Sequence, residues 1–273
     1  MLRVALVQTT TGLDAVANAA ALTAAIDAAA TRGAGFILTP EMSGRLDRDA
    51  VRLRAHAMAE DDDPVLAAVR AAAVRHDVWV LIGSLALRAE DDGGRLANRS
   101  LLVDSAGEVR ARYDKMHLFD VEAAPGETYR ESASFRPGSV AVVADTPWAR
   151  VGLSICYDLR FPRLYDALTG AGATILTVPA AFTRPTGAAH WHALLRARAI
   201  ETGSFVLAPA QTGLHEDGRS TFGHSLAINP WGDILLDMGE APGVGIVELD
   251  LAEVARVRAR IPVLDHRREI AQP

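Results

Sequence analysis

The chain has 273 residues, 49% of them hydrophobic and 23% charged, which fits a globular domain large enough to bury a substantial core. Its formal net charge of −6 argues against a nucleic-acid or anionic-membrane partner, whose footprint would be a basic patch. A single cysteine excludes an internal disulfide and a cysteine-rich zinc site.

In chain order, "RVALVQ" (3–8) predicts a strand, and "DAVANAAALTAAIDAAATRG" (14–33) a helix capped by Asp14 and ended by Gly33. A strand over 35–41 ("GFILTPE") and a helix over 63–76 ("DPVLAAVRAAAVRH") follow. Strands are predicted next at 78–84, 99–105 and 109–114, the last two joined by the turn "SAGE". The stretch 115–138 has no clean period and holds Pro125, Gly126, Pro137 and Gly138, which predicts a long ordered loop. Strands resume at 139–145 and 150–156, a helix lies around 161–170, and a strand runs over 173–179. A helix at 188–203 is followed by strands at 204–210, 224–230, 233–237 and 243–250 and a short helix at 251–260.

Strands alternating with helices indicate a layered α/β fold. The late strands, joined by "NPWGD" and "MGEAPG", read as antiparallel hairpins. No repeat, low-complexity tract or Pro/Ser linker marks a boundary, so residues 1–273 are expected to form one domain. A mixed sheet, or two mixed sheets packed together with helices outside, fits the pattern. No window approaches 18 uninterrupted apolar residues, and "MLRVALVQTT" has no long apolar stretch before a small-residue cleavage site. A cytoplasmic protein without membrane contact is therefore expected.

Three residues stand at or just past predicted strand ends: Glu41 in "ILTPEMSG", Lys115 in "ARYDKMHLFD" and Cys156 in "GLSICYDLRFP". Lys115 is the one lysine in the chain; the other 27 basic residues of the Lys+Arg count are arginine. A compact ammonium and a flat guanidinium differ in shape, hydration and pKa behaviour, so a position that keeps lysine can be one that needs the smaller head. Strand ends on one side of an α/β sheet cluster, and sites lie there. A thiol, a carboxylate to take its proton and an ammonium to hold negative charge form a complete set for acyl transfer. Taken singly, each residue has a plainer reading: a buried structural cysteine, a helix-capping acid, a surface lysine. A redox-sensing thiol is a further alternative, although no resolving cysteine exists in the chain.

Taken in order, "TPEMS", "YDKMHLFD" and "SICYDLRFP" resemble the glutamate, lysine and cysteine segments of the carbon–nitrogen hydrolase (nitrilase) superfamily, and the resemblance covers essentially the full chain. It implies a four-layer α-β-β-α sandwich with two mixed six-stranded sheets, and a catalytic triad of Glu41, Lys115 and Cys156. It further implies a second glutamate at Glu127 in "APGETYRES", a substrate-contacting Thr186, no cofactor, and protomers paired through outer helices as a homodimer or higher homo-oligomer. "MHLFDV", "TGAAHWHALLRARAIET" and "GHSLAINPWG" resemble the Nit branch, and "LAPAQTGLHEDGRSTFGHS" resembles its deaminated-glutathione amidases more than its ω-amidases. His192 and Thr212 depart from the branch pattern without touching the triad.

The remaining candidates surround that set. Arg160, four residues past Cys156, can grip a substrate carboxylate bidentately or serve as a structural ion-pair partner. Tyr157 offers its backbone N–H to an oxyanion, and His190 can buttress the site by hydrogen bonds. His190 and His192 sit at i and i+2, which do not face each other on a helix, so no metal is expected. Arg196, Arg198 and Glu201 read as a salt-bridged helix face. The resulting expectation is a cysteine-dependent amidase that hydrolyses a small carboxylate-bearing amide, deaminated glutathione or a related α-keto acid amide, to acid and ammonia through a thioester. An ω-amidase on α-ketoglutaramate, an N-carbamoyl amino acid hydrolase, a true nitrilase and a non-catalytic relative remain open.

Overall fold

The first half of the chain supplies strands β1 (Leu2–Gln8), β2 (Phe36–Leu38), β3 (Trp79–Arg88), β4 (Leu96–Val103) and β5 (Val109–Asp114). It also supplies helices α1 (Ala15–Thr31), α2 (Ala50–His56) and α3 (Pro64–His76). A hairpin of β6 (Asp120–Ala124) and β7 (Glu127–Arg130) follows. The second half supplies β8 (Val142–Asp145), β9 (Arg150–Leu153), β10 (Ile175–Thr177) and β11 (Phe205–Ala208), then a second hairpin of β12 (Thr212–Leu214) and β13 (Ser220–Phe222). Strands β14 (Leu226–Ile228), β15 (Ile234–Asp237) and β16 (Gly243–Leu249) complete it, with helices α4 (Pro162–Gly170), α5 (Arg184–Thr202) and α6 (Ala252–Arg260). The structure, a computed structural model, describes residues 1–89, 93–124, 127–269 and 271, without the side chains of Ala124 and Glu127.

The layers follow from the two-residue period of the strands. In β1, Leu2, Val4 and Leu6 pack into one core while Ala5 and Val7 pack into another, and all five are buried. A strand apolar on both faces needs cover on both. On one side the cover is α1 and α3, through Leu22, Ile26, Val65 and Val69. On the other it is the second sheet, whose Val151, Leu153, Ile175 and Phe205 share a core with Val4 and Leu6 of β1 and Phe36 of β2. Helices α4 and α5 cap that sheet's outer face with Leu164, Leu168, Trp191 and Leu195. The result is an α-β-β-α sandwich of two six-stranded sheets, ordered β16-β1-β2-β3-β4-β5 and β15-β14-β11-β10-β9-β8. Both are mixed, with β1-β2-β3 and β9-β10-β11 parallel and the other neighbours antiparallel.

Three expectations change. The stretch 115–138 is not a plain loop: it contains the β6–β7 hairpin and a 3-10 turn at Glu131–Ala133. Those short strands pair only with each other and so carry no core-facing alternation; Pro125 and Gly126 lie outside the described residues. "NPWGD" does close the β14–β15 hairpin, but "MGEAPG" carries the chain from one sheet to the other, where β16 pairs antiparallel with β1. Val247 packs into the central core and Ile246 toward the helix-covered one, so β16 also needs cover on both faces. Helix α2 and the β12–β13 hairpin, finally, have no counterpart among the predicted elements. Among the described residues no helix is long and apolar enough to cross a membrane.

The parallel strands of both sheets end on the same side, which is the property that creates a site. Leaving β2, the chain turns at Thr39–Ser43 around Gly83 of β3. A Cβ at Gly83 would lie 2.1 Å from the Thr39 carbonyl oxygen and 2.4 Å from that of Pro40. Backbone cannot yield as a flexible side chain can, so Gly83→Ala should destabilise the protein by about 1–3 kcal/mol, as overpacking does. A urea melt checks this, and a wild-type midpoint would show that the turn after β2 is free to shift.

Candidate active site

Glu41 occupies the turn after β2, and nearly every polar group of that turn is tied down. Met42 has φ 57°, a left-handed conformation uncommon for a residue with a Cβ, and its N–H donates to Ser84 Oγ at 2.9 Å. Ser43 Oγ donates to Thr39 Oγ1 and to the Pro40 carbonyl, and Gln211 Nε2 donates to the Glu41 carbonyl at 2.9 Å. Gln211 follows β11 in the other sheet and also binds Thr11 after β1, so both sheets fix the glutamate's backbone.

Lys115 follows β5 directly. Its N–H donates to the Asn98 carbonyl and its own carbonyl accepts from Gly138 N–H. The ammonium is 2% exposed and donates to Glu41 Oε1 at 2.9 Å and to Glu131 Oε2 at 2.9 Å. Asn98 Nδ2 bridges the same two acids, donating to Glu41 Oε1 and Glu131 Oε1 at 3.0 Å each. These two acceptors set the amide's orientation, and they leave Asn98 Oδ1 buried without a partner among the described residues. The remaining carboxylate oxygen, Glu41 Oε2, accepts from Ala181 N–H at 3.0 Å, and Glu131 Oε2 accepts a second bond from Phe119 N–H at 2.6 Å.

Cys156 follows β9 and opens the 3-10 turn Cys156–Arg160 in a left-handed conformation, φ 51°. Its N–H donates to the Pro179 carbonyl, and its side chain lies near enough to Glu41 and Lys115 to feel the charge of both. Asp158, fully buried, holds this turn. It accepts from Ile155 N–H, Tyr113 OH, His117 N–H and His117 Nδ1 at 2.7–3.0 Å. Arg198 clamps the far end, with Nε and Nη2 both donating to the Leu159 carbonyl. It pairs with Glu201 at 2.7 Å, as the helix-face reading expects, and is in addition a buried clamp.

Glu41, Lys115, Cys156 and Glu131 line one cavity of about 260 Å³, walled in part by Phe119, Tyr157 and Phe182. The three residues expected from the sequence therefore meet. The side chain of Glu127 lies outside what the structure describes; the second carboxylate on Lys115 is that of Glu131, four residues later, in the "RES" that follows it. Thr186 lines the cavity and bonds Thr183. Arg160 is not among the lining residues: its guanidinium lies over the rings of Tyr157 and Phe182 and meets His190 Nδ1 at 3.3 Å. His192 turns away from His190 toward His224 and Asp237, and these three are the one potential metal-ligand group among the described residues, with ligating atoms within 4.8 Å. Spacing within the helix could not show this meeting across elements. Both imidazoles are hydrogen-bonded to the Asp237 carboxylate, and none of the three lines the cavity.

Residues 3–259 match the family described as carbon-nitrogen hydrolase. The chain is 42% identical over 240 residues to the deaminated glutathione amidase of Yersinia enterocolitica, covering 88% of this chain and 84% of that one. Among solved structures, the C. elegans NitFhit protein superposes with a TM-score of 0.91 at 37% identity; the match covers 98% of this chain and 65% of that longer one. A mutant of the amidase from Nesterenkonia sp. AN1, showing Michael addition of acrylamide at its active-site cysteine, superposes with a TM-score of 0.79 at 28% identity over 96% of this chain and 98% of that one. The chain belongs to the carbon–nitrogen hydrolase family. It is a hydrolase of carbon–nitrogen bonds other than peptide bonds.

The ionisation states follow from burial and neighbours. Burial alone would pull the Lys115 ammonium down, but the charges of Glu131 and Glu41 outweigh it and hold Lys115 well above the ordinary lysine value. Burial pushes Glu41 up, and the Lys115 charge and hydrogen bond more than reverse that, leaving the carboxyl below its ordinary value of 4.5. Burial, reinforced by the Glu41 charge, pushes the Cys156 thiol well up despite Lys115. At neutral pH the site therefore rests as carboxylate, ammonium and neutral thiol. A depressed acid contributes stability above its unfolded pKa and loses it as pH falls through the folded one; a raised base contributes below its unfolded pKa and loses it as pH rises through the folded one. The melting temperature of the wild type relative to Glu41→Gln should thus be highest between about pH 5 and 10 and should fall toward the variant's below that window. Calorimetric melts across pH check this; a difference independent of pH would contradict the assignment.

Proposed function

We propose that this hydrolase is a cysteine-dependent amidase acting on a small carboxylate-bearing amide, deaminated glutathione or a related α-keto acid amide. The observation that carries the reading is the buried Glu41 carboxylate, paired with the Lys115 ammonium at 2.9 Å and set with Cys156 on the wall of one cavity. As Sγ attacks the amide carbon, Glu41 takes the thiol proton. Negative charge develops on the carbonyl oxygen, where the Lys115 ammonium and the backbone N–H of Tyr157 stabilise it. The C–N bond then breaks and Glu41 gives its proton to the departing nitrogen, leaving a thioester. Water, deprotonated by Glu41, attacks the thioester; the C–S bond breaks and the proton returns to sulfur. No cofactor takes part. Glu131 and Asn98 act as positioning residues that hold Lys115 and Glu41.

The leaving group depends on the amide. Deaminated glutathione carries secondary, peptide-type amides and releases an amine, whereas ammonia leaves only from a primary amide such as α-ketoglutaramate. A cytoplasmic location and pairing into homodimers belong to the same proposal. Pairing through outer helices is supported by exposed Ile200 on α5 beside exposed Trp231, Ile234 and Leu235.

Incubation with deaminated glutathione, α-ketoglutaramate, an N-carbamoyl amino acid or a simple nitrile, quenched and read by intact-protein mass spectrometry, should show an acyl adduct on Cys156 with one of the first two. Turnover by Cys156→Ala would end the thioester reading. Lys115→Arg should fold yet be nearly inactive, because a site 2% exposed with both carboxylates in contact cannot accept the broader head. Loss of one such oxyanion donor costs about 3–4 kcal/mol in the transition state, or a factor of roughly 10²–10³ in kcat. A wild-type kcat in Lys115→Arg would remove the ammonium from the chemistry.

A further inference from the structure

We infer that Arg219 is the residue that recognises a substrate carboxylate, at a subsite of the same cavity separate from the reacting cluster; the inference rests on the amidase reading above. The cavity is polarised. Its acids at the reacting end, Glu41 and Glu131, are neutralised in part by Lys115, and its other lining acid, Asp47, is held by Arg52 outside the cavity at 2.6 and 2.7 Å. The remaining charged lining residues are arginines, so an anionic part of a substrate is drawn to them.

Of the four arginines on that wall, Arg219 alone has a buried side-chain nitrogen without a hydrogen-bond partner among the described residues; Arg45 is half-buried and has no such atom. Arg48 and Arg130 are exposed, where a carboxylate contact is weakened by water and salt. The Arg219 side chain is 18% exposed, and its Nε is buried with no hydrogen-bond partner among the described residues. A buried donor left unpaired is costly unless a ligand completes it. Its nearest carboxylate, Asp217, is 3.4 Å from Nη2, longer than a charge-assisted hydrogen bond. The Asp217 oxygens already accept from Arg219 N–H and Arg48 N–H at 2.9 Å each. The guanidinium otherwise lies over the Tyr129 ring, 5.7 Å from its centroid. A planar donor held by an aromatic face, with an unused N–H, suits bidentate capture of a carboxylate.

The backbone presents this group rigidly. Arg219 sits at the end of the β12–β13 turn, where its carbonyl accepts from His215 N–H at 2.8 Å. His215 is buried beneath the turn, with Nδ1 on the Thr11 carbonyl and Nε2 on Thr221 Oγ1. Glu216 accepts from Leu13 N–H, which fastens the same turn to the chain leaving β1. A subsite so fixed loses little conformational freedom on binding.

The test is a cycle of two changes: Arg219→Gln in the enzyme, and esterification of both carboxylates of deaminated glutathione, with amine release followed in all four combinations. On the free acid, Arg219→Gln should lower kcat/KM roughly 10- to 100-fold, mostly through KM, as loss of a hydrogen bond to a charged group does. On the dimethyl ester the same variant should match the wild type within about threefold, because the two changes remove one contact and cannot add. Arg219→Lys, which keeps a charge beside Asp217, should lose less than Arg219→Gln on the free acid and nothing on the ester. Equal losses on both substrates, in variants whose thermal melts match the wild type, would overturn the assignment. If Arg219→Gln does not fold, Arg219→Lys decides by the same comparison. If the wild type cleaves α-ketoglutaramate and not deaminated glutathione, the same four combinations are run with α-ketoglutaramate and its methyl ester; failure on both amides would instead overturn the amidase reading and so is told apart from failure of this one.

Discussion

A lysine ammonium 2% exposed between two carboxylates is the interaction on which the site depends. Buried charges are tolerated only when paired and fully hydrogen-bonded, and breaking such a group by removing one partner is costly. That requirement reaches outward from Lys115 through every element around it. β4 contributes Asn98, which bridges both acids; the loop after β10 contributes the Ala181 N–H; the segment before the β6–β7 hairpin contributes the Phe119 N–H. A shift of Ala181 would leave Glu41 Oε2 without a donor, and a shift of Asn98 or Phe119 would leave its carboxylate oxygens to Lys115 alone. The cluster is therefore a constraint on the fold as much as a reagent.

The same constraint explains why carboxylate, ammonium and thiol can line one cavity with the thiol uncharged. Two carboxylates and one ammonium carry a net charge of −1, and a thiolate beside them would be a second uncompensated negative charge away from water. The thiol stays protonated, which is the direction in which burial and Glu41 push it. Glu41, held low by Lys115, stays ionised and so keeps the basicity to take that proton. Such an arrangement holds nucleophilicity in reserve until a carbonyl arrives to receive the electron pair, and it needs no histidine.

Much of this was legible in the sequence because it is written at strand ends. Glu41, Lys115 and Cys156 each stand at or just past the end of a predicted strand, two of them apolar runs, and the shared exit side of parallel strands brings such ends together. The helix at 64–76 could be read from Asp63 and Pro64, which cap and start it. What was illegible depends on pairing between distant segments. Glu131 and Glu127 are both acids in one weakly patterned stretch, and only the turn after β7 shows that Glu131 meets the lysine. Arg160 has the right spacing from Cys156 to enter the cavity, yet Tyr157 and Phe182 take its guanidinium on their faces instead. Arg198 read as one member of a salt-bridged helix face and does pair with Glu201, but its burial against the Leu159 carbonyl depends on a distant segment. The passage of "MGEAPG" between sheets has no local signature: it is dictated by the apolar character of both faces of β16.

The geometry also separates catalysis from thiol sensing, the other chemistry open to a lone cysteine. A sensor thiol reacts with oxidants as an accessible thiolate and is stabilised by nearby positive charge. Cys156 has a cation near it, but two carboxylates claim that cation first, and the thiol is 7% exposed and pushed toward its protonated form. An oxidant would meet the less reactive species, with no second cysteine in the chain to resolve a sulfenic acid. In the proposed reaction an amide meets a different situation: its carbonyl carbon accepts the sulfur electron pair while Glu41, on the wall of the same cavity, removes the proton. Reactivity is thus conditional on a bound acyl group, and the groups that suppress the free thiolate are the ones that release it to substrate.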